Sequence, residues 1–192
     1  MTKLIAAALV LGLCLTGCAS NDQLARQFRD GNSKNYIAGD GTVTEFDANE
    51  RPSSNPWVGK TESGDLLTNK DLLGQVSVLN FWYAGCAPCR AEAKDLVNLQ
   101  KEFASKGVQF VGVNVRDTAA TALAFDRNFQ INYPSVMDND TGAVVLAFTG
   151  VVTPQAVPTT LVIDKHGKVA SRILGRIELG TLRTLIQTAV GK

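Results

Sequence analysis

The sequence predicts an α/β domain, a central mixed β-sheet flanked by helices. Three observations carry this. A nearly unbroken β-prone run at 76–83 passes straight into a helical pattern, and a second such run at 108–115 is again followed by a helical pattern. Runs that apolar suit central strands covered on both faces. Farther on, two β-prone stretches at 159–164 and 168–174 are joined by the turn Lys165-His166-Gly167, so the second returns antiparallel. The order β, α, β, α, β-hairpin, α builds a sheet with both parallel and antiparallel pairs.

Taken in order, the chain opens with three segments. Residues 1–17 read as a signal peptide: a short basic start with Lys3, then an apolar run at 4–16 too short to span a bilayer. Leu15-Thr16-Gly17-Cys18 resembles a bacterial lipobox, in which Gly17 fits the cleavage site and Cys18 carries the lipid. Residues 18–55 form a lipidated cysteine and a polar tether rich in Asn, Asp, Ser and Gly. Within it, 36–46 holds a Gly-Asp-Gly turn between β-prone ends, a candidate small hairpin. The globular domain is expected over 56–192.

Inside that domain, 57–60 reads as a strand and 64–67 as a turn with a short strand. Thr68 can cap one helical turn at 69–73, stopped by Gly74. The strand at 76–83 leads to a helix at 87–105 that ends at Gly107. After the strand at 108–115, Asp117 or Thr118 can cap a helix through Phe129. A bend and extended piece occupy 132–136, and 143–148 is a short helix. The closing helix at 178–190 sets Leu179, Leu182, Leu185 and Ile186 on one face.

Composition excludes some functions. With 19 basic and 18 acidic residues, nothing favours nucleic acid or another strongly charged partner. Once Cys18 is acylated and Cys14 is removed with the signal, Cys86 and Cys89 are the remaining thiols, in a compartment that permits disulfides.

That pair has three readings. A structural metal site usually needs four Cys or His ligands. The domain offers two cysteines and His166, which sits in a turn, so no metal is expected. A structural clasp between residues so close in sequence would remove little chain entropy. The redox reading has a mechanism. Cys86 falls at a helix N-terminus, where unpaired N–H groups and the macrodipole favour a thiolate, and Pro88 suits the first turn. Cys86 is then the nucleophile and Cys89 the resolving thiol. A peroxidatic cysteine usually has Thr or Ser three residues before it, where this chain has Tyr83.

Helical phase adds an acid. At about 100° per residue, Leu96, Leu99 and Phe103 fall within about 40° of Glu92, and Cys89 within about 60°. Glu92 thus lies on the apolar stripe beneath the cysteines, where a carboxyl has a raised pKa and can move a proton. Across the site, Val157-Pro158 precedes a strand; locally, a cis or a trans bond fits equally well.

Asn80-Phe81-Trp82, Cys86-Ala87-Pro88-Cys89-Arg90-Ala91-Glu92 and the run from Val157 to Asp164 resemble the thioredoxin-like TlpA/ResA family. The likeness covers 56–192, and residues 124–148 are similar to that family's central insertion. The resemblance implies a thioredoxin-like fold, a cis Pro158 facing Cys86, and Glu92 as interior acid. It further implies that Trp82, Ala87, Pro88 and Val157 meet the substrate. The activity implied is protein thiol–disulfide exchange outside the cytoplasm by a membrane-attached enzyme, using the Cys86–Cys89 couple and no other cofactor. Its partners would be protein thiols and disulfides, apocytochrome c among them, and a membrane thiol–disulfide electron donor. Two positions depart from the pattern: Gly85 stands where many relatives have Trp, and Asn80 where thioredoxin itself has a carboxylate.

Overall fold

A six-stranded mixed sheet organises the protein, in the order β1-β8-β7-β4-β5-β6. The computed structural model describes residues 42–153 and 156–191. The strands are β1 (Val43–Glu45), β4 (Ser77–Trp82), β5 (Gln109–Asn114), β6 (Ser135–Met137), β7 (Thr159–Ile163) and β8 (Val169–Leu174), while β2 (Val58–Lys60) and β3 (Leu66–Thr68) form a separate hairpin. β4, β5 and β6 run parallel; β7 and β8 are antiparallel to their neighbours. The helices are α1 (Ala87–Phe103), α2 (Ala119–Phe129), α3 (Ala143–Ala147) and α4 (Leu179–Val190).

Strand alternation divides the core into two layers. From β4, Val78 faces Leu96, Leu99 and Phe103 of α1 and Leu182, Leu185 and Ile186 of α4. Leu79 and Phe81 face the opposite layer, with Val111, Val113, Leu161, α3 and Trp57. Asn80 and Trp82 share the α1 side with Val78, which brings polar groups beneath the start of α1.

Local signals explain most boundaries. A short 3₁₀ turn, Asn69–Leu72, is held by Asp71 Oδ2, which accepts from the Thr68 N–H at 2.8 Å and its hydroxyl at 2.7 Å. α1 runs into a 3₁₀ turn, Ala104–Lys106, that Gly107 stops at φ 70°. Thr118 rather than Asp117 caps α2, and Glu178 caps α4 through the Thr181 N–H at 2.9 Å. No helix among the described residues is long and apolar enough to cross a membrane.

Described residues upstream of the boundary expected at Pro56 pack against the sheet. β1 pairs with β8 in the register Val43↔Ile173, and Phe46 packs against the core. The Arg51 guanidinium contacts Asp164 at 2.9 Å, and the Asn55 N–H donates to the Ala147 carbonyl at 2.9 Å. Residues 42–55 therefore belong to the domain, because β8 would otherwise present an unpaired edge. The β-prone end of the expected hairpin becomes this edge strand. The expected signal peptide, the expected lipidation site Cys18 and the rest of the expected tether lie outside the described residues.

Candidate active site

Cys86 and Cys89 form a disulfide where β4 hands over to α1. Cys86 is the N-cap of α1, and its Sγ accepts from the Cys89 N–H at 3.2 Å. Pro88 occupies the first turn, where its missing N–H costs nothing. Cys86 is 0% and Cys89 3% exposed, and they pack with Trp82, Tyr83, Ala93, Phe125 and Val157.

The loop entering the helix is tied down by a residue whose role the sequence did not reveal. Asp117 Oδ2 accepts from the Ala84 N–H at 2.6 Å and from Asn114 Nδ2 at 2.8 Å. The nearby Asn114 Oδ1 accepts from the N–H groups of Arg116 and Asp117 at 3.1 and 2.8 Å. The end of β5 thus fixes the approach to Cys86 from the end of β4. The Arg116 guanidinium lies 4.4 Å from the centroid of the Tyr83 ring.

Of the four residues expected to meet substrate, Ala87 is exposed and Pro88 half-buried, while Trp82 and Val157 are buried. Trp82 faces inward because of two partners. Its ring packs on Phe125 at 4.3 Å between centroids, and its Nε1 donates to Ser135 Oγ at 3.2 Å. That bond crosses β5 over Gly112, whose missing side chain is required: a Cβ there would collide with Ser135 Oγ and Trp82 Nε1. Trp82 packs in the same apolar cluster as the two cysteines. The Val157–Pro158 peptide is cis, and Val157 joins the apolar cluster around the cysteines.

Glu92 lies inward, as helical phase predicts, and is 0% exposed. Its Oε1 accepts from Asn80 Nδ2 at 2.8 Å and its Oε2 from the Ile177 N–H at 2.9 Å. Burial pushes its pKa up; those two hydrogen bonds and the Arg176 charge oppose it, and it settles at about 7. Asn80 Nδ2 also donates to Thr160 Oγ1 at 3.0 Å. The position that lacks thioredoxin's carboxylate therefore supplies the amide partner of Glu92. Sequence could not show this, because the partner is twelve residues away on another element.

Beneath Cys89 lies a small cavity, about 10 Å³ open to the centre of a water molecule, enough for about one water. Asn80, Trp82, Cys89, Phe125, Tyr133 and Ser135 are among its walls. A helix-capping disulfide and a buried carboxyl at neutral-range pKa, beside a small and mostly apolar cavity, can together support thiol exchange with proton transfer.

The chain matches the AhpC/TSA family over residues 45–172. It is 35% identical over 119 residues to the thiol-disulfide oxidoreductase ResA of Bacillus subtilis (strain 168), a match covering 62% of this chain and 64% of that relative, just under two thirds of its length. Among solved structures, a secreted thiol-disulfide isomerase from Corynebacterium glutamicum superposes with a TM-score of 0.71 at 28% identity, covering 82% of this chain and 97% of that one. A thiol:disulfide interchange protein of the thioredoxin family from Chlorobium tepidum TLS gives a TM-score of 0.65 at 32% identity, covering 76% and 100%. The family match spans most of the chain and these structures share its strand and helix layout, so the protein belongs to the AhpC/TSA family and has a thioredoxin-like fold, similar to the ResA-type oxidoreductases.

Proposed function

We propose that the protein is a protein thiol–disulfide oxidoreductase working outside the cytoplasm, held to a membrane by a lipid on Cys18. In this reading it reduces disulfides of exported proteins, with apocytochrome c as a substrate during cytochrome c maturation. The observation that carries the proposal is the Cys86–Cys89 disulfide at the N-terminus of α1 with Glu92 buried one turn below. The names of the relatives support the same chemistry.

In the reducing direction, the Cys86 thiolate attacks one sulfur of a substrate disulfide. A mixed disulfide forms and one substrate thiolate leaves. Cys89 then loses its proton, and its thiolate attacks Cys86 Sγ, releasing the second substrate thiolate as the Cys86–Cys89 bond forms. The substrate gains two electrons and the pair loses two. A membrane dithiol donor reverses the change in the pair, and no further cofactor is needed. In the disulfide form Cys86 exposes no surface, so an incoming thiolate has to part the surrounding residues to reach Sγ.

A Cys89→Ser variant tests the reading. It should accumulate mixed disulfides through Cys86 with substrate proteins, including a peptide bearing the haem-binding cysteine pair of an apocytochrome c. A Cys86→Ser variant should trap none. If alkylation finds both sulfurs unchanged by mild reductants and oxidants, the proposal fails. The reduction potential sets direction: a value near that of a strong periplasmic oxidant replaces the reductase with an oxidant or isomerase. Metabolic labelling with palmitate, lost in Cys18→Ala, tests the anchor.

A further inference from the structure

Glu92 is not among the residues lining the cavity under Cys89; Asn80 is. Asn80, which donates to Glu92, is a wall of that cavity together with Cys89. Its geometry is fully committed on the donor side. Nδ2 has two hydrogens, and it serves two acceptors, Glu92 Oε1 at 2.8 Å and Thr160 Oγ1 at 3.0 Å. Thr160 lies on β7, paired directly with Asn80 and two residues beyond Pro158. The other Glu92 oxygen is held by the Ile177 N–H, just before α4. One carboxyl on α1 is thus pinned to β4 and to the segment preceding α4, and through the amide to β7.

We propose that Asn80 is a positioning residue that locks the Glu92 carboxyl against β4 and β7 and so governs how readily that carboxyl takes the proton of Cys89 during exchange. This rests on the oxidoreductase reading above. In the step concerned, the Cys89 S–H bond breaks and its proton passes to Glu92. The sulfur keeps the electron pair and uses it to attack Cys86 Sγ, expelling the substrate thiolate. An amide donor at position 80 stabilises the carboxylate that must accept the proton, and it adds no charge. A carboxylate there, as in thioredoxin itself, would set two acids against each other.

The groups that face Glu92 support this assignment. Arg176 favours its charged form, Asp95 on the same helix disfavours it, and Tyr133, itself pushed up by burial and by Glu92, contributes no charge. Asn80 and Ile177 supply the two hydrogen bonds that oppose desolvation. Of these two donors, only Asn80 is a side chain that substitution can remove.

The test is the pH dependence of single-turnover oxidation of the reduced full-length protein by an oxidised dithiol peptide. The transition belonging to Glu92 is identified as the one absent in Glu92→Gln. In Asn80→Asp, its midpoint should rise by about one pH unit or more, from like-charge repulsion. In Asn80→Ala, which simply loses the donor, it should also rise, by less. A residue that only filled space would lower the melting temperature and leave the midpoint in place. A midpoint unmoved in whichever of the two variants folds overturns the proposal. That outcome leaves the oxidoreductase reading standing, whereas wild-type protein that fails to exchange at any pH overturns the oxidoreductase reading instead.

Discussion

Glu92 and Asp164 are both buried carboxylates that accept hydrogen bonds from neutral groups, yet they are tuned in opposite directions. Glu92 leans on the middle of β4 and accepts from an amide and a backbone N–H. Asp164 follows the last residue of β7 and accepts from the backbone N–H groups of His166 and Lys168 at 2.9 and 3.0 Å. Two things differ: Glu92 is 0% exposed and Asp164 6%, and the Arg51 guanidinium lies 2.9 Å from Asp164 Oδ2. Burial pushes the Asp164 carboxyl up, but Arg51 and the two N–H groups outweigh it and hold its pKa low. At Glu92 the Arg176 charge acts only through space, burial wins, and the pKa stands at about 7. Two hydrogen bonds from neutral donors do not keep a fully buried carboxylate charged; a cation in contact does. The fold thus holds one carboxylate below its ordinary pKa at one end of the sheet and raises another towards neutral under the cysteines.

The strongest way to break that comparison is to measure stability against pH. The Glu92 carboxyl has a folded-state pKa near 7 against an ordinary 4.5, so the folded state binds the extra proton between those values. Its contribution to stability is complete below about pH 4.5 and is lost as pH rises through 7, a fall of about 3 kcal/mol. Denaturation of the oxidised protein, in which the paired cysteines do not titrate, should show this decline. Glu92→Gln should remove most of it, although its absolute stability drops because an amide cannot accept from both Asn80 and Ile177. An undiminished decline in Glu92→Gln would mean that the acid is not the group burial has tuned.

Asp164 should behave with the reverse sign. Its lowered pKa contributes stability above the unfolded value, and that contribution is lost as pH falls through the folded one. Arg51→Gln should therefore cost about 1–2 kcal/mol at pH 7, as for a partly buried charged hydrogen bond. The cost should be smaller at pH 3 than at pH 7, because the contribution begins to fade below the unfolded value of 3.8. Equal losses at both pH values would assign Arg51 a packing role and remove the contrast with Glu92.

The two carboxylates also differ in how far the sequence revealed them. Glu92 is legible, because a helix repeats every 3.6 residues and an acid in phase with Leu96, Leu99 and Phe103 has to turn inward. The cysteine pair at a strand–helix junction is legible for the same local reason. The Arg51–Asp164 pair is not: its members are 113 residues apart, and Arg51 sits in a polar stretch that reads as tether. β1 is only three residues long and exists by pairing with β8, so nothing local distinguishes it from linker. The Trp82–Ser135 bond over Gly112 likewise depends on β4, β5 and β6 lying side by side, an order that β-propensity does not specify. Sequence exposed what one element determines and concealed what two distant elements determine together.

A third carboxyl sharpens the contrast at its smallest scale. Asp126 on α2 has neither the cation of Asp164 nor the paired donors of Glu92; its Oδ1 is buried without a hydrogen-bond partner. Burial, with the nearby Glu62 charge, raises its pKa to about 7 against the weak pull of Arg127. It is only half-buried, so solvent screens much of the effect, and the energy involved is on the order of 1 kcal/mol or less. If burial without a contacting cation is what raises a carboxyl here, Asp126→Asn should be more stable than wild type. The gain should be absent below about pH 4, grow as pH rises towards 7, and level off above it, with the sign of Glu92 and not of Asp164. In a Glu62→Gln background, which removes the repelling charge, the gain should diminish. Urea denaturation at pH 4 and pH 8 reads both differences, and a gain of equal size at the two pH values would trace it to packing and not to the charge.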